Sequence, residues 1–244
     1  RGKGWEIRTS LVATGSRMFV VSRKKTSSSK GKRTSLSAVR RKTLNPDRWK
    51  VRLSDPNNLV LDYPELRLGK GRWRKADEVL RVDTKVRDEL GIQPRAWFMV
   101  QPWARKKLKS PKGIPVALRY RFEIRDVPIG PVWLGLEQPT LYRAAINGHA
   151  FTLDKDAGWW TDRSLRKIAL PPSSLKKGSN ELVVSCLYNE NHPGFEVVYL
   201  LGDFGTRASG SRVHLTKSVA SLRLGNWVRQ GLAFYSGNVT YLTR

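Results

Sequence analysis

Residues Val116-Ala-Leu-Arg-Tyr-Arg-Phe-Glu-Ile124 alternate between apolar and polar side chains. Successive side chains of a β-strand point to opposite faces, so Val116, Leu118, Tyr120, Phe122 and Ile124 would share one face. A strand with one apolar and one charged face lies between a core and solvent. The stretch therefore predicts a long, half-buried strand, and it indicates a fold built from sheets.

The rest of the chain extends this β pattern in both directions. Further strands are predicted after the first one at Val132–Leu136, Tyr142–Ile146, Lys167–Leu170, Glu181–Tyr188, Phe195–Leu201, Val213–Leu215, Ser221–Leu224 and Asn238–Tyr241. Asn147-Gly148 is a strong signal for a tight turn between two of them. Many short strands separated by turns are typical of a β-sandwich or a barrel.

The residues that precede Val116 give a more mixed pattern of strands and one helix. Strands are predicted there at Trp49–Leu53, Leu59–Tyr63 and Glu65–Leu68. Val82, Val86 and Leu90 recur every four residues and predict one short helix, with Asp83 as its N-cap and Gly91 as its end.

The predicted fold class is mostly β, in three segments. Residues 1–44 hold an N-terminal strand and a basic flexible linker, and residues 113–244 form a β-sandwich. Residues 45–112 are either a separate β-rich subdomain or edge strands of that sandwich. The chain begins with Arg1 rather than methionine, so we expect it to be a segment of a larger protein.

Three motifs resemble the sugar-binding domain of glycoside hydrolase family 2 and its relatives. They are Tyr120–Ile124, Ala145–Gly148 and Leu175–Leu182. In the last, Gly178 supplies a tight turn that the Asn180 amide can close by bonding nearby backbone. The resemblance implies a galactose-binding-like, jelly-roll sandwich.

A second set of motifs is similar to the C-terminal region of large bacterial enzymes resembling family 106 rhamnosidases. It comprises Gln101–Trp103, Glu196–Phe204 and Gly231–Tyr241. In such enzymes a catalytic barrel precedes accessory sandwiches. The resemblance implies a parent catalytic domain as partner, no catalytic residues and no catalysis by this chain alone. It also implies a secreted or periplasmic bacterial location if the parent acts on polysaccharide.

Two polar and aromatic clusters are candidates for contact with a glycan. Trp159, Trp160 and Asp162 lie between predicted strands, where we expect a loop tip. Indole rings stack on the apolar faces of pyranose rings, and carboxylates or amides bind the hydroxyls. The second cluster offers amides, a carboxylate and an imidazole from Asn189, Glu190, Asn191 and His192. Alternatively, one indole belongs to the core and the second cluster is an ordinary polar turn.

The chain is strongly basic, with 46 Lys and Arg against 20 Asp and Glu, a net charge of +26. Its densest basic runs contain Arg23, Lys24, Lys25, Arg40, Arg41, Lys42, Arg105, Lys106 and Lys107. Such runs attract nucleic acid or an acidic polysaccharide, although solvated, mobile basic loops are the favoured explanation. No aromatic residue is interleaved in them to stack on bases.

Several other classes of site are not supported by the sequence. Cys186 is the only cysteine and lies in a predicted strand, which favours a buried inert thiol. The three histidines lack metal-ligand spacing, and we expect no cofactor. Asp154 and Asp156 could offer oxygen ligands to calcium, but the intervening lysine favours a solvated turn. No apolar run is long enough for a membrane helix.

Three functions follow from these observations. The first is a non-catalytic carbohydrate-binding module that uses the paired indoles. The second is a polyanion-binding protein that uses the basic runs, with nucleic acid or an acidic or sulfated polysaccharide as its partner. The third is a structural domain that packs on a catalytic barrel and touches no substrate.

Overall fold

The computed structural model of the protein describes residues 9, 10, 16, 47–93, 95, 112–210 and 212–242. The chain divides into two compact units, Arg1–Asn45 and Pro46–Arg244. All of the strands and helices that the structure describes belong to the second unit.

Strands dominate this unit, as the sequence predicts. In chain order they are β1 (Trp49–Leu53), β2 (Asn57–Leu61), β3 (Glu65–Leu68), β4 (Gly113–Ile124), β5 (Val132–Glu137), β6 (Tyr142–Ile146), β7 (His149–Phe151), β8 (Asp156–Trp160), β9 (Asp162–Ala169), β10 (Gly178–Asn189), β11 (Val198–Gly202), β12 (Gly205–Ser209), β13 (Arg212–Thr216), β14 (Ser221–Leu222) and β15 (Val239–Leu242). The one α-helix, α1, spans Val79–Leu90, and short 3₁₀ helices span Pro139–Leu141 and Val228–Gln230. Among the described residues, no helix is long and apolar enough to cross a membrane.

Two large sheets enclose the core. The five-stranded sheet has the order β2-β11-β5-β9-β8. The seven-stranded sheet has the order β12-β13-β4-β10-β6-β7, with β3 also paired to β4. A small third sheet has the order β14-β1-β15. The mostly β fold class is thus confirmed, and a two-sheet sandwich accounts for it; the jelly-roll topology stays a prediction.

The apolar face of β4 is the centre of the core. Tyr120 and Ile124 of β4 join Leu182 of β10 in one buried cluster, to which Leu134 and Leu200 contribute from the other sheet. Strand β4 pairs with β10 over its whole length, from Gly113 to Ile124. The alternation that predicted this strand therefore also marks which of its side chains are buried.

Strands β2 and β3 lie within the two large sheets. Strand β2 pairs with β11, and β3 pairs with β4. Of the two alternatives for residues 45–112, these strands favour edge strands of the sandwich over a separate subdomain.

Helix α1 is capped by Glu78 at its start and by Gly91 at its end. Its N-cap is Glu78, whose carboxylate accepts hydrogen bonds from the backbone N–H groups of Leu80 and Arg81. The prediction of Asp83 as N-cap is wrong, because Asp83 lies one turn further on and faces the interior. Gly91 ends the helix with φ of 64°, a left-handed conformation that glycine adopts without strain.

Two asparagines close the turns around the start of β10. Asn147 and Gly148 both have positive φ and form the predicted turn between β6 and β7. The Asn180 amide donates to the carbonyls of Lys176 (2.7 Å) and Gly178 (2.9 Å), and its oxygen accepts from the Lys176 backbone N–H. The Asn147 amide donates to the same Asn180 oxygen at 2.9 Å. The predicted closure of the Gly178 turn by Asn180 is confirmed.

We expect Asn180→Ala to lower the free energy of unfolding by about 2 kcal/mol, because it leaves buried donors and carbonyls without partners. Urea unfolding followed by fluorescence measures this change. The neighbouring exposed Ser179 provides the control, and we expect Ser179→Ala to stay within about 0.5 kcal/mol of the parent chain. Equal stability of the two variants would mean that the amide network is dispensable.

Candidate functional site

The paired indoles lie in a strand and not at a loop tip. Trp159 and Trp160 end β8, and Thr161, with φ of 59°, turns the chain directly into β9. Gly158 has φ of 93°, and the register between β8 and β9 shifts on both sides of Trp159. This irregularity removes the alternation on which a strand prediction depends, which is why the sequence indicated a loop.

The two indoles have different surroundings. Trp159 is 52% exposed, whereas Trp160 is partly buried. The Trp160 ring lies 5.2 Å from the ring of Tyr199 on β11, with the planes inclined by 62°. Tyr199 alternates with the core residues Val198 and Leu200, so it points to the outer face of this sheet. Strands β9 and β5 lie between β8 and β11, and the contact of Trp160 with Tyr199 spans them on that face.

Gly135 of β5 makes room for this aromatic pair. It lies opposite Tyr199, and a Cβ added to Gly135 would be only 3.1 Å from the Tyr199 Cβ. Any side chain at this position would therefore press on the tyrosine. A glycine in a strand interior often marks a close approach of another group, and here that group is an aromatic ring.

Two carboxylates act electrostatically on Tyr199, and a guanidinium is paired with one of them. Glu137 is two residues beyond Gly135 on β5 and so points to the same outer face. Its carboxylate accepts a hydrogen bond of 3.2 Å from the Ser164 hydroxyl. Arg95 forms an ion pair with Glu196, and it donates at 3.0 Å to the carbonyl of Phe195. We call the group Trp160, Tyr199, Glu137, Glu196 and Arg95 the aromatic site.

The pKa of Glu137 depends on burial and on the charged groups around it. Burial raises the pKa of Glu137, and the negative charge of Glu196 raises it further. The charge of Asp162 acts in the same direction, while Ser164 and Arg95 oppose it. Burial also raises the pKa of Tyr199, with added effects from Glu137 and Glu196. The site thus combines aromatic rings with partly desolvated carboxylates that can accept hydrogen bonds from hydroxyl groups.

Asp162, predicted with the indoles, lies at the rim of this site. Its carboxylate accepts a hydrogen bond of 2.7 Å from the Ser164 backbone N–H, which lowers its pKa. The side chain is exposed at the start of β9. Asp162 therefore holds the β8–β9 turn and also adds negative charge near Glu137.

The second predicted cluster is divided between surface and interior. Asn189 ends β10 and accepts a hydrogen bond from the Asn191 backbone N–H at 2.9 Å, and Glu190 is exposed. His192, in contrast, is only 4% exposed, and its ring stacks on Tyr188 with centroids 4.4 Å apart. His192 is thus part of the core, and a ligand from solvent cannot reach its ring in this conformation.

His192 belongs to a buried polar network that supports the aromatic site. Its Nδ1 accepts from the Gly194 backbone N–H at 3.1 Å, and its carbonyl accepts from Arg87 at 3.3 Å. Arg87 is paired with Asp83 at 2.9 Å, and both side chains are buried. Asp83 Oδ2 lies 3.9 Å from Arg95. This network therefore fixes the segment that carries Glu196 and anchors the guanidinium of the site.

Three predictions remain: the basic runs, the calcium ligands and the inert cysteine. The basic runs Arg23–Lys25, Arg40–Lys42 and Arg105–Lys107 lie outside the described residues. Asp156 is paired with Arg166, and the described residues contain no group of three or more potential metal ligands. Cys186 is largely buried, and burial raises the pKa of its thiol to about 12, as expected for an inert cysteine.

Sequence reasoning missed Tyr199, Glu137, Glu196 and Arg95. Tyr199 lies in a predicted strand and Glu137 directly follows another, so alternation within these strands could have identified both as outward-facing residues. Their proximity to Trp160 depends on strand order, which no local pattern gives. Gly135, inside a predicted strand, was the one local signal that another group approaches there.

Comparison with known proteins does not identify a family. No protein-family model matches the sequence, and no curated protein matches it either. The resemblance to glycoside hydrolases therefore stays a prediction, and the geometry of the aromatic site carries the functional argument.

Proposed function

We propose that this chain is a non-catalytic carbohydrate-binding module, and that its aromatic site holds a sugar ring. The contact of Trp160 with Tyr199 on the outer face of the five-stranded sheet is the observation that supports this most strongly. The exposed surface of such a pair offers an apolar platform for the C–H groups of a pyranose. A platform alone would bind many apolar ligands.

The polar groups around the rings support a carbohydrate as the ligand. Glu137 and Glu196 accept hydrogen bonds, and Arg95 and Ser164 donate them. A sugar has both donors and acceptors around an apolar ring face, so it matches this combination. Arg95 and Glu196 already form an ion pair, which keeps the groups in place before a ligand arrives and reduces the entropy cost of binding.

We expect Trp160→Ala to weaken glycan binding at least tenfold, which corresponds to about 1.4 kcal/mol. Isothermal titration calorimetry against a panel of neutral and acidic oligosaccharides measures the affinity. Trp159→Ala should weaken binding less, because Trp159 shows no ring contact with the site among the described residues. Trp73→Ala is the matched control, since Trp73 packs on Arg67 and Arg119 of the other sheet.

Two results would count against this function. One is the absence of a response to every glycan while circular dichroism shows an intact fold. The other is an unchanged affinity in Trp160→Ala. If the parent catalytic domain that the resemblance implies also kept its activity in that variant, the purely structural role would be the better account.

A further inference from the structure

The outer face of the seven-stranded sheet carries a concentration of basic residues. Arg119 and Arg121 of β4 alternate with the buried core residues of that strand and so point outward. On the neighbouring strand β13, His214 lies opposite Glu123 of β4. On β12, Arg207 lies opposite His214. Basic groups from three strands therefore meet near the end of β4.

Two cavities with basic linings lie next to each other and share one lining residue. The first has a volume of about 820 Å³, and its basic lining residues are Lys75, Arg119, Arg121, Arg125 and Arg212. The second has a volume of about 520 Å³, and its basic lining residues are Arg48, Arg125, Arg207 and Lys217. Arg125 lines both cavities, and we call the two cavities together the basic cleft. It holds eight different Lys and Arg residues against three carboxylates, a local net charge of +5.

Part of this charge is neutralised and part is not. Arg119 and Arg121 each lie within 4.0 Å of both Glu65 and Glu181, so the two carboxylates neutralise the two guanidinium groups. Within the described ranges, no carboxylate lies that close to the guanidinium groups of Arg125, Arg207 or Arg212. Three arginines are therefore available to an external anion.

The pKa of His214 reflects the positive charge of the arginines around it. Its pKa is lowered first by burial and then by the positive charges of Arg125 and Arg207, with Glu123 opposing them. The two arginines thus act on a common point of the cleft. Ser179 and Ser209 add hydroxyl groups to its lining.

We propose that the basic cleft binds a sulfated polysaccharide, on the sheet opposite the aromatic site and independently of it. The three free arginines suit sulfate groups, because guanidinium pairs with tetrahedral oxyanions in a bidentate geometry. Glu65, Glu123 and Asp126 line the same cleft and can accept hydrogen bonds from sugar hydroxyls. The backbone of DNA carries a phosphate at every nucleotide but has no free hydroxyl group along the chain to donate to these carboxylates, so DNA fits the cleft less well.

The test compares a sulfated hexasaccharide with its desulfated form, using the full chain and calorimetry at several salt concentrations. We expect the desulfated form to bind at least tenfold more weakly. The triple variant Arg125→Gln, Arg207→Gln, Arg212→Gln should bind the sulfated form at least tenfold more weakly. The dependence of its log affinity on log salt should also fall by about three, roughly one for each lost ionic contact.

A second triple variant controls for net charge. Arg52→Gln, Lys70→Gln and Arg72→Gln remove the same charge from exposed positions that do not line the cleft. We expect this variant to keep at least half of the affinity. Equal weakening in both triple variants would overturn the proposal, since binding would then reflect the overall charge of the chain.

Two other outcomes decide against a sulfated glycan. One is tighter binding of a single-stranded oligonucleotide of equal charge, lost in the cleft variant, which would assign the cleft to nucleic acid. The other is unchanged binding of the hexasaccharide in the cleft variant. Neutral-sugar binding should be the same in both triple variants, so failure here is distinguishable from failure of the aromatic site.

Discussion

We expect Asp83→Ala to lower the free energy of unfolding by about 3–5 kcal/mol, the cost typical of removing one partner of a buried ion pair. Asp83 accepts hydrogen bonds from the Tyr188 hydroxyl at 2.6 Å, the Phe195 backbone N–H at 2.9 Å and Arg87 Nε at 2.9 Å. Without the carboxylate, the guanidinium of Arg87 is left charged in the interior, because its side chain is 0% exposed.

Chemical unfolding monitored by tryptophan fluorescence measures this loss. Asp88 lies on the exposed side of the same helix, so Asp88→Ala is the matched control, with an expected change below about 0.5 kcal/mol. The double variant Asp83→Leu, Arg87→Met should recover much of the lost stability, because it removes the unpaired charge. A loss below about 1 kcal/mol in Asp83→Ala would show that the pair is not required.

The pH dependence of stability gives the second large effect. Burial lowers the pKa of His192 to about 4 from an ordinary value of 6.5. The unfolded chain therefore binds a proton between pH 6.5 and pH 4 that the folded chain does not. Stability from this group is complete above pH 6.5 and is lost as the pH falls to about 4, by up to about 3 kcal/mol.

Carboxylates titrate in the same range, so the variant His192→Phe isolates the contribution of the imidazole. Phenylalanine keeps an aromatic ring next to Tyr188 and removes the titrating group. We expect the loss of stability between pH 7 and pH 4 to be about 3 kcal/mol smaller in this variant than in the parent chain. His149 is exposed on β7, and His149→Phe should reproduce the parent profile. Identical slopes for His192→Phe and the parent chain would contradict the assignment.

The buried network matters for the aromatic site because it holds the segment from His192 to Glu196. Asp83 fixes the Phe195 backbone, and Gly194 lies directly under Arg95, where an added Cβ would be 2.5 Å from a guanidinium nitrogen. The positions of Arg95 and Glu196 thus depend on groups that a ligand never touches. Substitutions in the network are therefore expected to weaken glycan binding as well as stability.

The elements with regular patterns were predictable from the sequence. The alternation in β4, the Asn147-Gly148 turn and the Gly91 helix end are all confirmed, since each depends on local backbone preferences. Asp83 was wrongly predicted as the N-cap because aspartate is a preferred N-cap residue and glutamate is not, whereas in the structure the Glu78 carboxylate caps the helix. Strand β8 was missed because its bulge at Gly158 interrupts the alternation.

The composition of the aromatic site was only partly predictable. Trp160 and Asp162 stand out as aromatic and acidic residues between apolar segments. Tyr199 comes from a distant part of the chain and meets Trp160 only because β8, β9, β5 and β11 are neighbours in one sheet. Arg95 lies outside these strands and joins the site through its ion pair with Glu196. His192 resembled a surface ligand in the sequence, and tertiary contacts with Tyr188 and Phe195 buried it instead.

A crystal of this protein soaked in the tightest-binding oligosaccharide tests the central claim most directly. We predict a pyranose whose apolar face rests on Trp160 and Tyr199, with hydroxyl groups bonded to Glu137 and Glu196. A sugar bound elsewhere on the molecule, or bare rings at saturating ligand, would contradict the account.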